Sequence, residues 1–167
     1  MNRFLTLLLA ASCLTAVGQE SPELLGTSDS TAFFKFEVFL NWQEAQDYSS
    51  NLGGHLATFS NLQENDFILA TWTSPFGYWF GLRQDVNGAE PDDGWGWVTN
   101  EDFTFTVWPP TEPNDNPNSN HPGEEDCGEI VEGNWNDQWC LELRRFILEV
   151  PISKVGCTDQ TACNYDA

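Results

Sequence analysis

Glu112-Pro113-Asn114-Asp115, Glu125-Asp126-Cys127 and Trp135-Asn136-Asp137 follow one another in a single stretch of this chain, and the fold is read outward from them. The segment between the first two runs, Asn116 to Glu124, is rich in Asn, Pro and Gly. From Gln84 to Leu143 there are 15 Asp and Glu and no Lys or Arg. Carboxylates this dense repel one another, and they stay ionised together only when solvated or neutralised by a cation. Carboxylate and amide oxygens suit a hard ion such as calcium, which takes six to eight of them. Zinc or copper would draw on His or Cys. The only histidines are His55 and His121.

On either side of this stretch the pattern is regular. Phe33 to Phe39 alternates and predicts a strand. Asn41 is placed to cap a helix, with Glu44 three residues on as the partner of a capping box. Trp42, Ala45, Ser49 and Leu52 share one face of that helix. Gly53-Gly54 ends it, because glycine adopts the left-handed closing conformation freely. His55 to Phe59 reads as a short strand or extended link. Asn61 and Glu64 repeat the cap, with Phe67, Ile68 and Trp72 as the apolar face of a second helix. Tyr78 to Leu82 reads as a buried strand, and Phe146 to Val150 as the closing one. The intervening acidic region, rich in Pro, Gly and Asn, is expected to be mostly loop, and a loop of this length is usually functional.

The ends carry different signals. Arg3, the apolar run Phe4 to Ala11 and the small residues Ala16-Val17-Gly18 predict a signal peptide over 1–18, too short to span a bilayer. Export is therefore expected, and Cys13 leaves open the alternative of a lipid anchor. Residues 19–32 read as a polar linker, 33–151 as the domain and 152–167 as a tail. Four cysteines lie beyond the signal segment, and in an exported chain they favour disulfides. Nearest neighbours would pair Cys127–Cys140 and Cys157–Cys163, one of three possible connectivities. With 26 Asp and Glu against 6 Lys and Arg, for a formal charge of −20, nucleic acid and anionic membrane surfaces are poor partners.

The three acidic runs resemble the sugar site of the C-type lectin family. Trp42-Gln43-Glu44-Ala45, Gly53-Gly54-His55-Leu56-Ala57, Trp79-Phe80-Gly81-Leu82 and the set Trp95, Trp97 and Trp108 resemble that family's framework, in its order, over roughly Phe33 to Pro151. The resemblance implies an α+β fold in which two helices pack on small antiparallel sheets with a long calcium-binding loop region. It implies one calcium ion held by Glu112, Asn114, Glu125, Asn136 and Asp137, the last also through its carbonyl. It also implies a cis Pro113 and a Cys127–Cys140 bridge. Asp85, Asp115 and Asp126 match an accessory calcium site. Glu112, Asn114, Glu125 and Asn136 would also contact the sugar. In the family, Glu-Pro-Asn accompanies glycans with mannose-type hydroxyls (mannose, glucose, N-acetylglucosamine), and Gln-Pro-Asp accompanies galactose.

Two features depart from the family pattern. Ser49 and Leu148 stand where a long-range disulfide is usual, as in shorter bacterial-looking members. The long spacer after Asn114 leaves Glu124 as an alternative ligand to Glu125. The tail, Gly156 to Ala167, resembles the start of a short cysteine-containing repeat of exported Bacteroidetes proteins. Other readings compete. Glu112 and Glu125 could serve as the acid and base of a glycosidase, but no cleft-forming domain is legible, so no enzyme is expected. A lectin-like fold binding protein or another non-sugar ligand is the alternative function. The framework tryptophans are expected in the core rather than stacked on sugar.

Overall fold

In the computed structural model, residues 22–152 are described, apart from 29, 71, 73, 117–119 and 122–123. The expected signal peptide with Cys13, and residues 153–167 of the expected tail with Cys157 and Cys163, lie outside that range. The elements are β1 (Glu23–Thr27), β2 (Thr31–Leu40), α1 (Trp42–Asn51), β3 (His55–Leu56), α2 (Leu62–Leu69), β4 (Tyr78–Gln84), β5 (Trp95–Trp97), β6 (Cys127–Val131), β7 (Asn134–Gln138) and β8 (Arg144–Pro151).

The caps decide where the helices begin. Asn41 accepts a hydrogen bond from Glu44 N at 2.9 Å, and Glu44 Oε2 accepts one from Asn41 N at 3.1 Å. The reciprocal pair satisfies two backbone donors at the start of α1. Gly53, at φ +81°, closes that helix in the left-handed region where glycine carries no side-chain penalty. Asn61 caps α2 from one side, accepting from Glu64 N at 3.0 Å, while Glu64 Oε2 accepts from Ser60 N at 2.9 Å rather than closing the expected box on Asn61 N.

The strands run in the order β1-β2-β8-β4-β6-β7, with β3 on β8 and β5 on β4. The α+β class and the two helices are those expected. The antiparallel ladders join into one mixed sheet because β4 and β8 pair in parallel, Tyr78 opposite Arg145 and Trp79 opposite Phe146. Alternation along the strands sends neighbouring residues to opposite faces. Phe33, Phe80, Ile130, Trp135 and Ile147 pack on one face with Phe59, Trp95 and Trp97. Phe34, Phe36, Trp79, Phe146 and Leu148 pack on the other, under Trp42 and Ala45 of α1. Gly81 sits where a Cβ would lie 2.6 Å from Leu56 O, so only glycine lets β4 approach β3 this closely.

Three readings of the sequence need correction. Residues 19–32 are not simply linker: β1 lies within them and pairs antiparallel with β2, Glu23 opposite Lys35. It is an edge strand with Leu24 42% exposed, so it lacks the apolar alternation that marks a buried strand. Phe67 and Trp72 do not form an apolar face with Ile68. The α2 helix ends at Leu69, Ile68 alone of the three is buried, and Phe67 is 46% exposed. The acidic region also holds β5, β6 and β7. The last two form a hairpin whose two-residue turn, Glu132-Gly133, has positive φ at both positions (51° and 77°), as a tight right-twisted hairpin requires.

Ser49 and Leu148 are both buried. Ser49 Oγ donates to Ala45 O at 2.8 Å, so the positions of the missing bridge are filled by ordinary packing.

Candidate functional site

The β6–β7 hairpin is the platform. Its open end is tied by a disulfide between Cys127 and Cys140, 13 residues apart. Closing a loop of this size restrains the unfolded chain by about 3 kcal/mol. Glu125 and Asp126 immediately precede β6, and Asn136 and Asp137 lie on β7. Trp135 anchors the hairpin to the core, 1% exposed, with its Nε1 donating to Asn65 Oδ1 at 3.0 Å. Trp95 and Trp97 are buried as well, in keeping with the expected core role.

The Glu112–Pro113 peptide is cis, as the resemblance implies, and Asn114 Nδ2 donates to Glu112 Oε2. This loop folds over β7. Asp137 is 1% exposed, and its Oδ2 accepts from Asn114 N at 2.9 Å and Asp115 N at 2.6 Å. Asp137 Oδ1 is buried, and no N–H or hydroxyl of a described residue donates to it; its neighbour is the Glu112 carboxyl. Glu125 is 6% exposed and accepts from Asn116 N at 2.8 Å, while its own N–H donates to Asp115 Oδ1 at 3.3 Å. Glu124 instead points outward, 3.7 Å from His121 Nδ1. Asn136 Nδ2 donates to Glu129 Oε1 at 3.1 Å and to Asp137 O at 2.6 Å. Glu112, Asn114, Glu125 and Asp137 are thus brought together by one loop, and Asn136 lies beside them on β7.

The electrostatics follow from crowding. Burial pushes the Glu112 carboxyl up to about 7, helped by the hydrogen bond it makes to Asp137 when protonated and by repulsion from Asp137 and Glu125. Burial also raises Glu125, with Asp137, Asp115 and Glu129 adding repulsion against the Asn116 N–H. Asp126 is raised by burial, opposed by Arg83.

The expected accessory trio divides. Asp115 and Asp126 belong to this cluster. Asp85 is fully exposed, and its Oδ1 is taken within its own turn by Asn87 N at 2.9 Å and Nδ2 at 2.8 Å. Glu90, which no sequence signal picked out, is the nearer group in electrostatic terms: burial raises it first, then repulsion from Asp115, Asp126 and Asp137. The 85–94 loop brings it there by folding back on β4 and β5, Gln84 Nε2 donating to Asp93 O at 2.7 Å and Trp95 Nε1 to Pro91 O at 2.9 Å.

Among the described residues no three His, Cys, Asp or Glu side chains form a ready-made metal cluster. The carboxylates and amides instead engage one another and the backbone. The donor set still fits a hard cation: it is all oxygen, it includes two carboxylates under 10% exposed, and one buried oxygen of Asp137 lacks a positive partner. A proton on Glu112 is the substitute available without metal.

A family model described as "Lectin C-type domain" matches residues 39–149. Human asialoglycoprotein receptor 2 is 32% identical over 118 residues, 69% of this chain and 36% of the receptor, so the chain spans about a third of that relative's length. The C-type lectin domain of murine dendritic cell inhibitory receptor 2, solved in complex with N-glycan, is 24% identical with a TM-score of 0.63, covering 76% of this chain and 95% of that one. A calcium-independent type II antifreeze protein has a TM-score of 0.59 at 22% identity, covering 78% and 98%. The chain belongs to the C-type lectin domain family, a family of carbohydrate-recognition domains and not of enzymes.

Proposed function

We propose that this protein is an exported module that binds glycans through calcium, with preference for mannose-type hydroxyls. The observation that carries the reading is Asp137. It is an almost fully buried carboxylate with one oxygen unpartnered, facing Glu112 and Glu125 inside a loop held to the hairpin by Asp137 itself. A buried charge of this kind is costly unless it is paired or coordinates a metal. Calcium would be held by Glu112, Asn114, Glu125, Asn136 and Asp137, and it would supply open coordination positions for two neighbouring sugar hydroxyls. The chain's own groups then select the sugar. Glu112 and Glu125 only accept hydrogen bonds, while an Asn amide can donate. Neighbouring equatorial hydroxyls of the mannose type meet both needs. A polar group left buried and unpaired costs about 1–3 kcal/mol, which disfavours the wrong hydroxyl geometry.

Glycan-array binding with calcium and with chelator is the direct test, followed by competition with free mannose and galactose. Mannose competition lost on chelation is expected. Binding that ignores the chelator would overturn the reading in favour of a non-sugar or calcium-independent ligand, and elution by galactose alone would overturn the sugar assignment.

A further inference from the structure

Between α1 and the β4–β5 ladder lies a hollow of about 500 Å³, lined by Trp42, Gln43 and Gln46 of α1, Arg83 of β4, Gly96 of β5 and Asn100. None of these residues is a proposed calcium ligand. Gly96 lies directly across the ladder from Arg83. A Cβ added to Gly96 would meet no heavy atom within 4 Å, so the strand there presents bare peptide to open space.

Arg83 is the unusual member. The cations among the described residues are Lys35, Arg83, Arg144 and Arg145. Lys35 lies 2.8 Å from Glu23, Arg144 lies 2.7 Å from Glu129, and Arg145 pairs with Glu37. The Arg83 guanidinium has no described carboxylate at ion-pairing distance and donates to no described residue, in a chain where 26 acids face 6 cations. It stands instead over Trp42, with Cζ 5.5 Å from the ring centroid. That ring is itself held, 3% exposed with Nε1 donating to Phe80 O at 2.9 Å. A guanidinium resting on a fixed indole has less freedom to lose on binding, and its fork of N–H donors is unspent.

The fork matches the two oxygens of a carboxylate. The amides of the lining match something else. Gln43 Nε2 is taken by Asp47 Oδ1 at 2.9 Å, which leaves the Gln43 oxygen, and the Asn100 side chain bonds to no described residue. Together they offer both a donor and acceptors, as hydroxyls require. The volume lies within the range of about 300–1,000 Å³ typical of small-molecule sites. We infer that this hollow binds an acidic sugar, a hexuronate whose carboxylate is held by Arg83 and whose hydroxyls meet Asn100 and Gln43 beside the bare Gly96 peptide. The inference goes beyond the calcium site and does not rest on it. Two acids oppose it: Asp85 also lines the hollow, and Asp126 feels the charge of Arg83. Neither reaches ion-pairing distance of the guanidinium, so a carboxylate docked in contact has the stronger interaction.

The test is a nuclear magnetic resonance titration of the isotope-labelled full chain in chelator, with methyl β-glucuronide as the probe. Saturable shifts are expected at the Arg83 side-chain N–H and the Gly96 backbone N–H. Methyl β-glucoside lacks the carboxylate and acetate lacks the hydroxyls, and each should bind at least about tenfold more weakly. Arg83→Lys keeps the charge without the fork and should weaken glucuronide binding about tenfold. Gly96→Leu places a side chain in the open space and should abolish binding with little change in melting temperature. No shifts at Arg83 and Gly96 would overturn the inference, as would equal binding of the glucoside or of acetate, or undiminished binding by Gly96→Leu. A protein that gives the expected shifts but binds no glycan through calcium refutes the earlier reading and supports this one.

Discussion

Replacing Asp137 by Asn tests the metal reading at its most buried group. In wild type, calcium at a hundredfold excess over its dissociation constant adds about 2.7 kcal/mol to stability. Unfolding entropy near the melting temperature is about 2.1 cal/mol/K per residue. For a domain of about 120 residues that is near 0.25 kcal/mol/K, so the calcium increment corresponds to a rise of about 11 °C. The variant should lose nearly all of this rise. The metal-free variant should nevertheless fold. The amide oxygen of Asn can still accept from Asn114 N and Asp115 N, as Asp137 Oδ2 does at 2.9 and 2.6 Å. Its NH2 then occupies the place of the unpartnered oxygen and faces the Glu112 carboxyl, replacing repulsion by a hydrogen bond. Differential scanning calorimetry of both proteins, in chelator and across a calcium series, gives the comparison. Equal calcium increments in the two proteins would refute the assignment of Asp137, and a metal-free variant that fails to fold would refute the proposed rearrangement.

Four further outcomes follow. Glu112, raised to about 7, takes up its proton more readily folded than unfolded. The stability it contributes is therefore full below its ordinary pKa near 4.5 and is lost as pH rises from there through about 7. Melts in chelator between pH 5 and 7.5 should show this decline, and Glu112→Gln should flatten it; a slope unchanged by the substitution refutes the attribution. Exchanging Glu112→Gln together with Asn114→Asp keeps the ligand charge and should shift competition from mannose toward galactose, read on immobilised glycans. Trp135→Phe strands Asn65 Oδ1, whose partner is Trp135 Nε1, and should cost about 1–3 kcal/mol in denaturant titrations before any packing loss. Cys140→Ser should lower stability by about 3 kcal/mol and weaken calcium binding, because the hairpin end bearing Asn136 and Asp137 loses its tie; peptide mapping without reduction checks the parent bridge.

What the sequence made legible was local or position-matched. The caps at Asn41 and Asn61 need only four consecutive residues each; both side chains cap as read, and the reciprocal half closes at Asn41, while Glu64 turns to Ser60 instead. The loop residues Glu112, Asn114 and Asp137 were found by pattern, and they do come into contact. The misses are tertiary. The strand Glu23–Thr27 exists because the edge of β2 is there to receive it, not because its own five residues insist on extension. Glu90 and Glu129 look like any other acids in a run of 15. One reaches the cluster by a loop folding back, the other by lying across a ladder from Asn136. Neither event leaves a mark on neighbouring residues.

Trp135 stands immediately before the proposed ligands Asn136 and Asp137, with its ring centroid 5.8 Å from Trp97 and 5.5 Å from Trp108, nearly perpendicular to both. Indoles this close share their electronic excitation, and the sign and strength of the resulting near-ultraviolet circular dichroism depend on their mutual angle. The protein thus carries its own optical gauge of site geometry. A displacement of the hairpin by a fraction of an ångström would be written into the dichroic spectrum of the core, without a label and without a bound chromophore.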